Sequence, residues 1–248
     1  MFADRRVMTL LDQRVLVIGG TSGLGLAVAR AVLERGGAPV VASRRSESVA
    51  HALDHLGGGA AGGVVDVQDD TSLAALVNDH GPVDHLVYTA GEPLEMTMLA
   101  DLTAQRIRSF WDTRYVGAIN AARVIVGRDG IRGGGSIVLT SGNAAQRPGP
   151  GWALGASICG AVNALTRQLA LELAPLRVNN VAPGVTRSPL WSAMPADEQQ
   201  AFYDGVAATL PVGRITEPDD VALAYVYAME QPMATGTSLL VDGGAVLV

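Results

Sequence analysis

Short apolar runs alternate along the chain with longer stretches of helical spacing. Arg14–Ile18 is an apolar run that ends at glycines and reads as a strand. Leu24–Arg35 follows with apolar residues at helical spacing, and Gly36 and Gly37 close it as a C-cap signal. The pattern then repeats. Pro39–Ala42, Gly63–Val67 and Val83–Thr89 read as strands, with room for a helix between each pair. Gly135–Thr140, Arg177–Val181 and Ser238–Val241 read as three more. Helices fit Ala104–Val126, in one part or two, then Ala153–Leu173 and Asp219–Glu230.

Strands alternating with helices of this length imply right-handed crossovers. The expected fold class is therefore α/β: a Rossmann-type, doubly wound, mostly parallel sheet with helices on both faces. No repeat of fixed period and no clear linker interrupts the pattern, so residues 1–248 read as one domain. The Gly-rich stretch Gly57–Gly63 reads as a surface turn. Val185–Gly205 is the least regular long stretch. It carries Trp191, Met194 and two prolines, and is expected to be a substrate lid or loop that covers something partly apolar.

Composition narrows the function classes. Alanine, glycine and valine dominate and aromatics are only 4% of residues, which suits buried parallel strands packed closely by small-residue helices. The formal net charge is −6 without a long basic run, which argues against nucleic acid or an anionic membrane as partner. Mean hydropathy is positive, at +0.26, yet no apolar stretch reaches the roughly 20 residues of a transmembrane helix. Met1 to Asp12 lacks the apolar run of a signal peptide, and Cys159 is the single cysteine, so a reducing cytoplasm is the expected compartment. The histidines His51, His55, His80 and His85 lack paired ligand spacing, and no metal site is expected. Cys159 has no nearby base in sequence and reads as a small buried hydrophobe.

The sharpest local motif is Gly19-Gly20-Thr21-Ser22-Gly23-Leu24-Gly25, placed where the first strand ends and the first helix begins. Glycines there let the backbone turn tightly and approach a pyrophosphate, whose charge the helix N-terminus stabilises. An ordinary strand-to-helix loop is the alternative. The spacing Gly-x-x-x-Gly-x-Gly resembles that of the short-chain dehydrogenase/reductase family, and the resemblance extends along the chain. Asp66 and Val67 look like the family's adenine-contacting pair. Tyr88-Thr89-Ala90-Gly91 is similar to its Asn-Asn-Ala-Gly segment. Arg177 to Gly184, Leu210 to Arg214 with Pro218 to Val221, and Thr235 and Gly236 with Val241 to Gly244 resemble its later signatures.

The resemblance implies a nicotinamide dinucleotide as cofactor, and the second strand bears on which one. An acid there would accept both ribose hydroxyls and repel a 2′-phosphate. This chain has Ser43, Arg44 and Arg45 instead, and a guanidinium suits a phosphate. NADP(H) is favoured, with NAD(H) still open. By resemblance, Pro183 and Gly184 lead into a loop in which Thr186 meets the carboxamide and Ser188 lies near the nicotinamide or phosphates.

The catalytic positions depart from the family. Such enzymes use a tyrosine as general acid/base, a lysine four residues on, a serine after the fifth strand and an asparagine in the preceding helix. The lysine matters because a free phenol, with pKa about 10, is a poor base at neutral pH. Aligned on Gly135–Ser141 and the helix holding Ala161 and Val162, the serine position falls on Gly142, the tyrosine on Gly155, the lysine on Cys159 and the asparagine on Arg114. No tyrosine lies between Tyr115 and Tyr203, and all eighteen basic residues counted as Lys or Arg are arginine. Candidate substitutes are Arg114 as a cation, Glu92 and Glu95 as carboxylates, and Ser141, Asn143 and Tyr115 to orient an oxygen. Three outcomes stay open: a reductase with a non-standard proton donor or water, a dinucleotide-binding sensor or scaffold, and a non-redox enzyme performing dehydration or cyclisation. The resemblance also implies a homodimer or homotetramer through the helices near Ala104–Val126 and Ala153–Leu173. The substrate is not identified.

Overall fold

A computed structural model describes residues 10–94 and 96–248. Glu95 lies outside the described residues, as do Met1 to Thr9. Seven strands form one parallel sheet in the order β3-β2-β1-β4-β5-β6-β7. They are β1 (Arg14–Ile18), β2 (Ala38–Ser43), β3 (Ala61–Val64), β4 (Val83–Tyr88), β5 (Ile131–Thr140), β6 (Arg177–Pro183) and β7 (Ser238–Val241). The helices are α1 (Gly23–Glu34), α2 (Ser46–Leu56), α3 (Asp70–His80), α4 (Ala104–Trp111), α5 (Gly117–Val126), α6 (Ala153–Glu172), α7 (Ala196–Thr209) and α8 (Pro218–Glu230). Among these, no helix is long and apolar enough to cross a membrane.

The inner strands are covered on both faces, so β1 and β2 are runs of mostly apolar residues, while β4, β5 and β6 also bury His85, Ser136, Asn179 and Asn180. Leu16 and Ile18 of β1 pack with Leu73 of α3, Ala121 of α5 and Val162 of α6. Val15 and Val17 point the other way, onto Ala27 and Val28 of α1 and Val221 and Tyr225 of α8. The helices adjoining the sheet demand small residues. A Cβ on Gly117 would stand 2.6 Å from Val67 Cγ2, and one on Gly62 would stand 2.5 Å from Val49 Cγ1. Arg177 is buried and donates to the carbonyls of Ala228 and Met229, both at 2.6 Å, closing the carboxyl end of α8 onto β6.

Three sequence expectations are adjusted. The Gly57–Gly63 stretch is only half a turn, because Gly62 and Gly63 belong to edge strand β3, where α2 and α3 press too closely for side chains. The Ala104–Val126 helix is interrupted by a π turn at Asp112–Val116, which joins α4 to α5. Val185–Gly205 is more regular than a loop. It holds a 3-10 turn at Pro189–Trp191 and more than half of α7, begun after Pro195 with Asp197 and Glu198 in its first turn. Buried Trp191 and Tyr203 give this segment an apolar cluster of its own.

At the amino edge of the sheet, buried His85 sits between the Ser136 hydroxyl, 2.8 Å away, and Gln13 Oε1, 2.7 Å away. Burial pushes its pKa down to about 4, with the Arg177 charge acting in the same direction and Asp84 opposing. The folded value is below that of the unfolded chain, so the unfolded chain binds the extra proton first as pH falls. This contribution to stability is complete above about pH 6.5 and is lost toward pH 4, amounting to about 3 kcal/mol over that window. Urea unfolding across pH 4 to 7 is expected to show a shallower pH slope in His85→Asn than in the parent; identical slopes would contradict the assignment.

Candidate active site

The sheet order reverses between β1 and β4, and the crevice outside their carboxyl ends is where a doubly wound fold binds ligands. Here two backbone turns touch. Gly19 has φ +87°, and a Cβ on it would stand 2.5 Å from the Ala90 nitrogen. Gly25 is as tightly placed: its Cβ would meet the Gly19 oxygen at 2.3 Å and Thr89 Oγ1 at 2.5 Å. The Thr89 hydroxyl donates to the Ile18 carbonyl at 3.1 Å. Ser22 stands at the N-cap of α1 without a side-chain capping bond, and no acid occupies the first turn. The positive end of that helix therefore faces the crevice with no carboxylate of its own to offset it.

A cavity of about 1210 Å³ opens from this turn. It exceeds the roughly 300–1,000 Å³ of ordinary small-molecule pockets, so a dinucleotide and a second molecule can share it. The sequence-selected residues meet along its wall. Gly19, Thr21, Ser22, Gly23, Leu24 and Gly25 line one end. Ser43, Arg44 and Arg45 from the end of β2, with Val67, Ala90 and Gly91, line the adjoining part. Pro183, Gly184, Thr186 and Ser188 form the opposite rim. Asp66 is exposed beside Val67, and its carboxylate accepts from the Gln68 backbone N–H at 3.0 Å.

The far end holds the substitute candidates. Arg114 lies on the π turn with its side chain only 12% exposed. It stacks 4.4 Å from the Phe110 ring centroid, pairs with Glu92 Oε2 at 3.4 Å and also donates to the Glu92 carbonyl. Burial pulls its pKa below the usual value while the Glu92 charge opposes this. Glu92 Oε1 accepts from the Thr113 hydroxyl at 2.5 Å and lies 3.5 Å from Arg44. Ser141, Asn143 and Tyr88 are committed elsewhere. Ser141 donates to Asn180 Oδ1 at 2.6 Å, Asn143 donates to Asp242 at 3.4 Å, and Tyr88 donates to the Thr113 carbonyl. Burial raises the Tyr88 pKa further above its already alkaline value, with Glu92 acting the same way and the two arginines opposing. Tyr115 packs edge-on against Trp111, with ring centroids 5.2 Å apart.

Gly142, Gly155 and Cys159 all line the cavity. A Cβ on Gly142 would stand 3.1 Å from Cys159 Sγ. Burial pushes the Cys159 thiol up to about 11, with Arg114 and the backbone N–H groups of Ala144 and Ala145 opposing, so the sulfur stays protonated. The Trp152 ring lies against Gly155, 3.0 Å from where its Cβ would be, and meets Trp191 edge-on at 5.9 Å between centroids. Trp191 in turn packs on Phe202, and Leu94 and Leu190 complete an apolar chamber. Trp152, Phe110 and Phe202 are cavity residues that the sequence pattern did not select. Their apolar spacing is that of ordinary core, and only the fold turns them inward.

Comparison with known proteins agrees with this architecture. The family model described as enoyl-(acyl carrier protein) reductase matches residues 19–246. The short-chain dehydrogenase/reductase malC of Malbranchea aurantiaca is 33% identical over all of both chains. The protein belongs to the short-chain dehydrogenase/reductase family. The solved structure of that relative, described as MalC reductase/Diels-Alderase, superposes with a TM-score of 0.89 at 32% identity, over 98% of this chain and all of the other. A small-chain dehydrogenase in complex with NADPH superposes with a TM-score of 0.83 at 34% identity, over 96% of this chain and all of that one. A short-chain oxidoreductase from Pseudomonas aeruginosa PAO1, described as NADPH-bound with an atypical catalytic center, gives a TM-score of 0.84 at 25% identity, over 94% and 98% of the two chains. Fold and oxidoreductase family are thus settled for this chain.

The packing of Trp152 on Gly155 makes a measurable prediction for this family member. Gly155→Tyr is expected to lose about 1–3 kcal/mol of stability through overpacking. Trp152→Ala in the same chain should recover part of that loss. Additive effects in a urea-unfolding cycle would show that the ring does not occupy the space of a side chain at position 155.

Proposed function

We propose that this protein is an NADP(H)-binding oxidoreductase of the short-chain family. In this reading it reduces the carbonyl of an apolar, ring-bearing substrate without the family's Ser-Tyr-Lys set or its asparagine. The observation that carries the reading is one continuous cavity. Its glycine turn and two arginines suit a phosphorylated dinucleotide, and its other end is an aromatic chamber floored by Arg114 and Gly155. The NADPH complexes of similar proteins support the choice of cofactor.

The glycine cradle fits the group, since any side chain at Gly19 or Gly25 would collide with backbone or with Thr89. Backbone N–H groups at the start of α1 would hold the pyrophosphate, and Arg44 with Ser43 and Arg45 the 2′-phosphate. When bound, the coenzyme supplies hydride. The protein's part is to place the substrate oxygen where negative charge grows. Arg114 is the buried cation at that end and stabilises the oxygen through its fixed guanidinium. In this reading a water molecule gives the alkoxide its proton and leaves as hydroxide, since the Ser141 and Tyr88 hydroxyls already donate within the protein. Trp152, Trp191 and Phe202 favour a flat apolar substrate and exclude sugars, which would leave their hydroxyls unpaired against this wall.

A second reading has its own support. A largely aromatic chamber in which Ser141 and Tyr88 already donate within the protein suits a cyclisation that moves no proton, and the malC relative is described as a reductase/Diels-Alderase. Turnover separates these readings, and also separates both from a non-catalytic binding protein. NADPH is expected to bind in the micromolar range by calorimetry, and Arg44→Ala should weaken it at least tenfold relative to NADH. Equal weakening of both would sink the phosphate assignment. With aryl ketones, loss of NADPH absorbance is expected, and Arg114→Met should lower kcat/KM about 10²-fold, the scale of one lost oxyanion donor. Binding without coenzyme oxidation across the ketone panel would overturn the reductase reading.

A further inference from the structure

The Glu92 carboxylate touches an arginine from each end of the crevice. Its Oε1 lies 3.5 Å from Arg44 Nη2, at the end of β2. Its Oε2 lies 3.4 Å from Arg114 Nη1, on the π turn before α5. The Thr113 hydroxyl, 2.5 Å from Oε1, holds the carboxylate between them, and the Arg114 guanidinium also grips the Glu92 backbone carbonyl. The two halves are unequal. Arg114 is 12% exposed and Arg44 61% exposed, so the Arg114 contact is anchored and the Arg44 contact is the one that can be exchanged. Arg44 and Glu92 both line the cavity.

We infer that Glu92 sets the coenzyme preference by competing with the 2′-phosphate for Arg44. The inference rests on the NADP(H) reading above. A phosphate monoester, with charge near −2, outbids a carboxylate for a guanidinium and takes it in bidentate form. On NADPH binding, Arg44 leaves Glu92, and the carboxylate remains with Arg114 and Thr113. NADH has only a hydroxyl at that position and leaves the Arg44–Glu92 pair in place. Glu92 therefore holds the preference for NADPH below what Arg44 alone would give.

The test is a cycle measured by calorimetry with NADPH and NADH on the parent, Glu92→Gln, Arg44→Ala and the double variant. Glutamine keeps an oxygen to accept from Thr113 and removes the charge. Glu92→Gln is expected to raise the ratio of NADPH to NADH affinity about two- to five-fold, the range of an exposed ion pair. In the Arg44→Ala background the same substitution should leave the ratio unchanged. Glu92→Asp, which keeps the charge near Arg114 but shortens its reach to Arg44, should move the ratio the same way and serves if the glutamine variant does not fold. A ratio unmoved by either variant overturns the inference, as does an equal rise with Arg44 absent. If the parent fails to bind NADPH at all, the cofactor reading itself falls. Binding that depends on Arg44 but is indifferent to Glu92 overturns the competition alone.

Discussion

The molecule depends on a backbone-to-backbone contact at the reversal of its sheet. The turn after β1 and the turn after β4 approach so closely that neither Gly19 nor Gly25 has room for one carbon atom. That contact is also what leaves a crevice: the first turn of α1 is held open toward it, with no acid to quench the helix field. Hydroxyl groups tie the carboxyl edge together on either side. Thr89 reaches the Ile18 carbonyl, Thr140 reaches the Tyr88 carbonyl and Tyr225, and Ser141 joins Asn180, which continues to Thr166 and Ser238. Polar side chains along this edge thus brace the rim even where they line the cavity.

That bracing explains the character of the reacting end. A side chain can point a proton at a substrate only if it is not already giving that proton to the protein. Ser141 and Tyr88 give theirs away, and Cys159 is held as a neutral thiol by burial. What remains is a cation, Arg114, stacked on Phe110 and neutralised on one side by Glu92. A fixed cation beside an aromatic wall is the group on which the proposed stabilisation of developing charge rests.

The architecture was legible in the residues because parallel strands buried on both faces carry short apolar runs, and helices between them carry their own period. The alternation of strands and helices follows from that, while the order of the strands in the sheet was decided by the fold. Boundaries were less legible where packing overrode propensity. Gly62 looks like part of a turn, yet β3 runs over Ala61–Val64 rather than Gly63–Val67, since the helices packed on Gly62 and Gly63 leave no room for side chains. The segment from Val185 to Gly205 looks irregular because α7 buries Tyr203 in a small satellite cluster rather than in the main core. The single Ala104–Val126 pattern conceals a π turn, and that turn is what delivers Thr113 and Arg114 to Glu92.

The sequence by itself determined the doubly wound sheet, the cradle at Gly19–Gly25, the cationic end of β2 and the want of any lysine or of a tyrosine near Gly155. These are properties of local spacing and composition, and they need no knowledge of what lies across the molecule. Tertiary structure alone decided which candidates are available. It turned Ser141 and Asn143 into the framework, laid Trp152 against Gly155, and brought Arg44, Glu92 and Arg114 to one carboxylate across 70 residues of chain. The reason is physical: whether a polar group is free or occupied depends on partners distant in sequence, and only the packed sheet brings those partners within hydrogen-bonding distance.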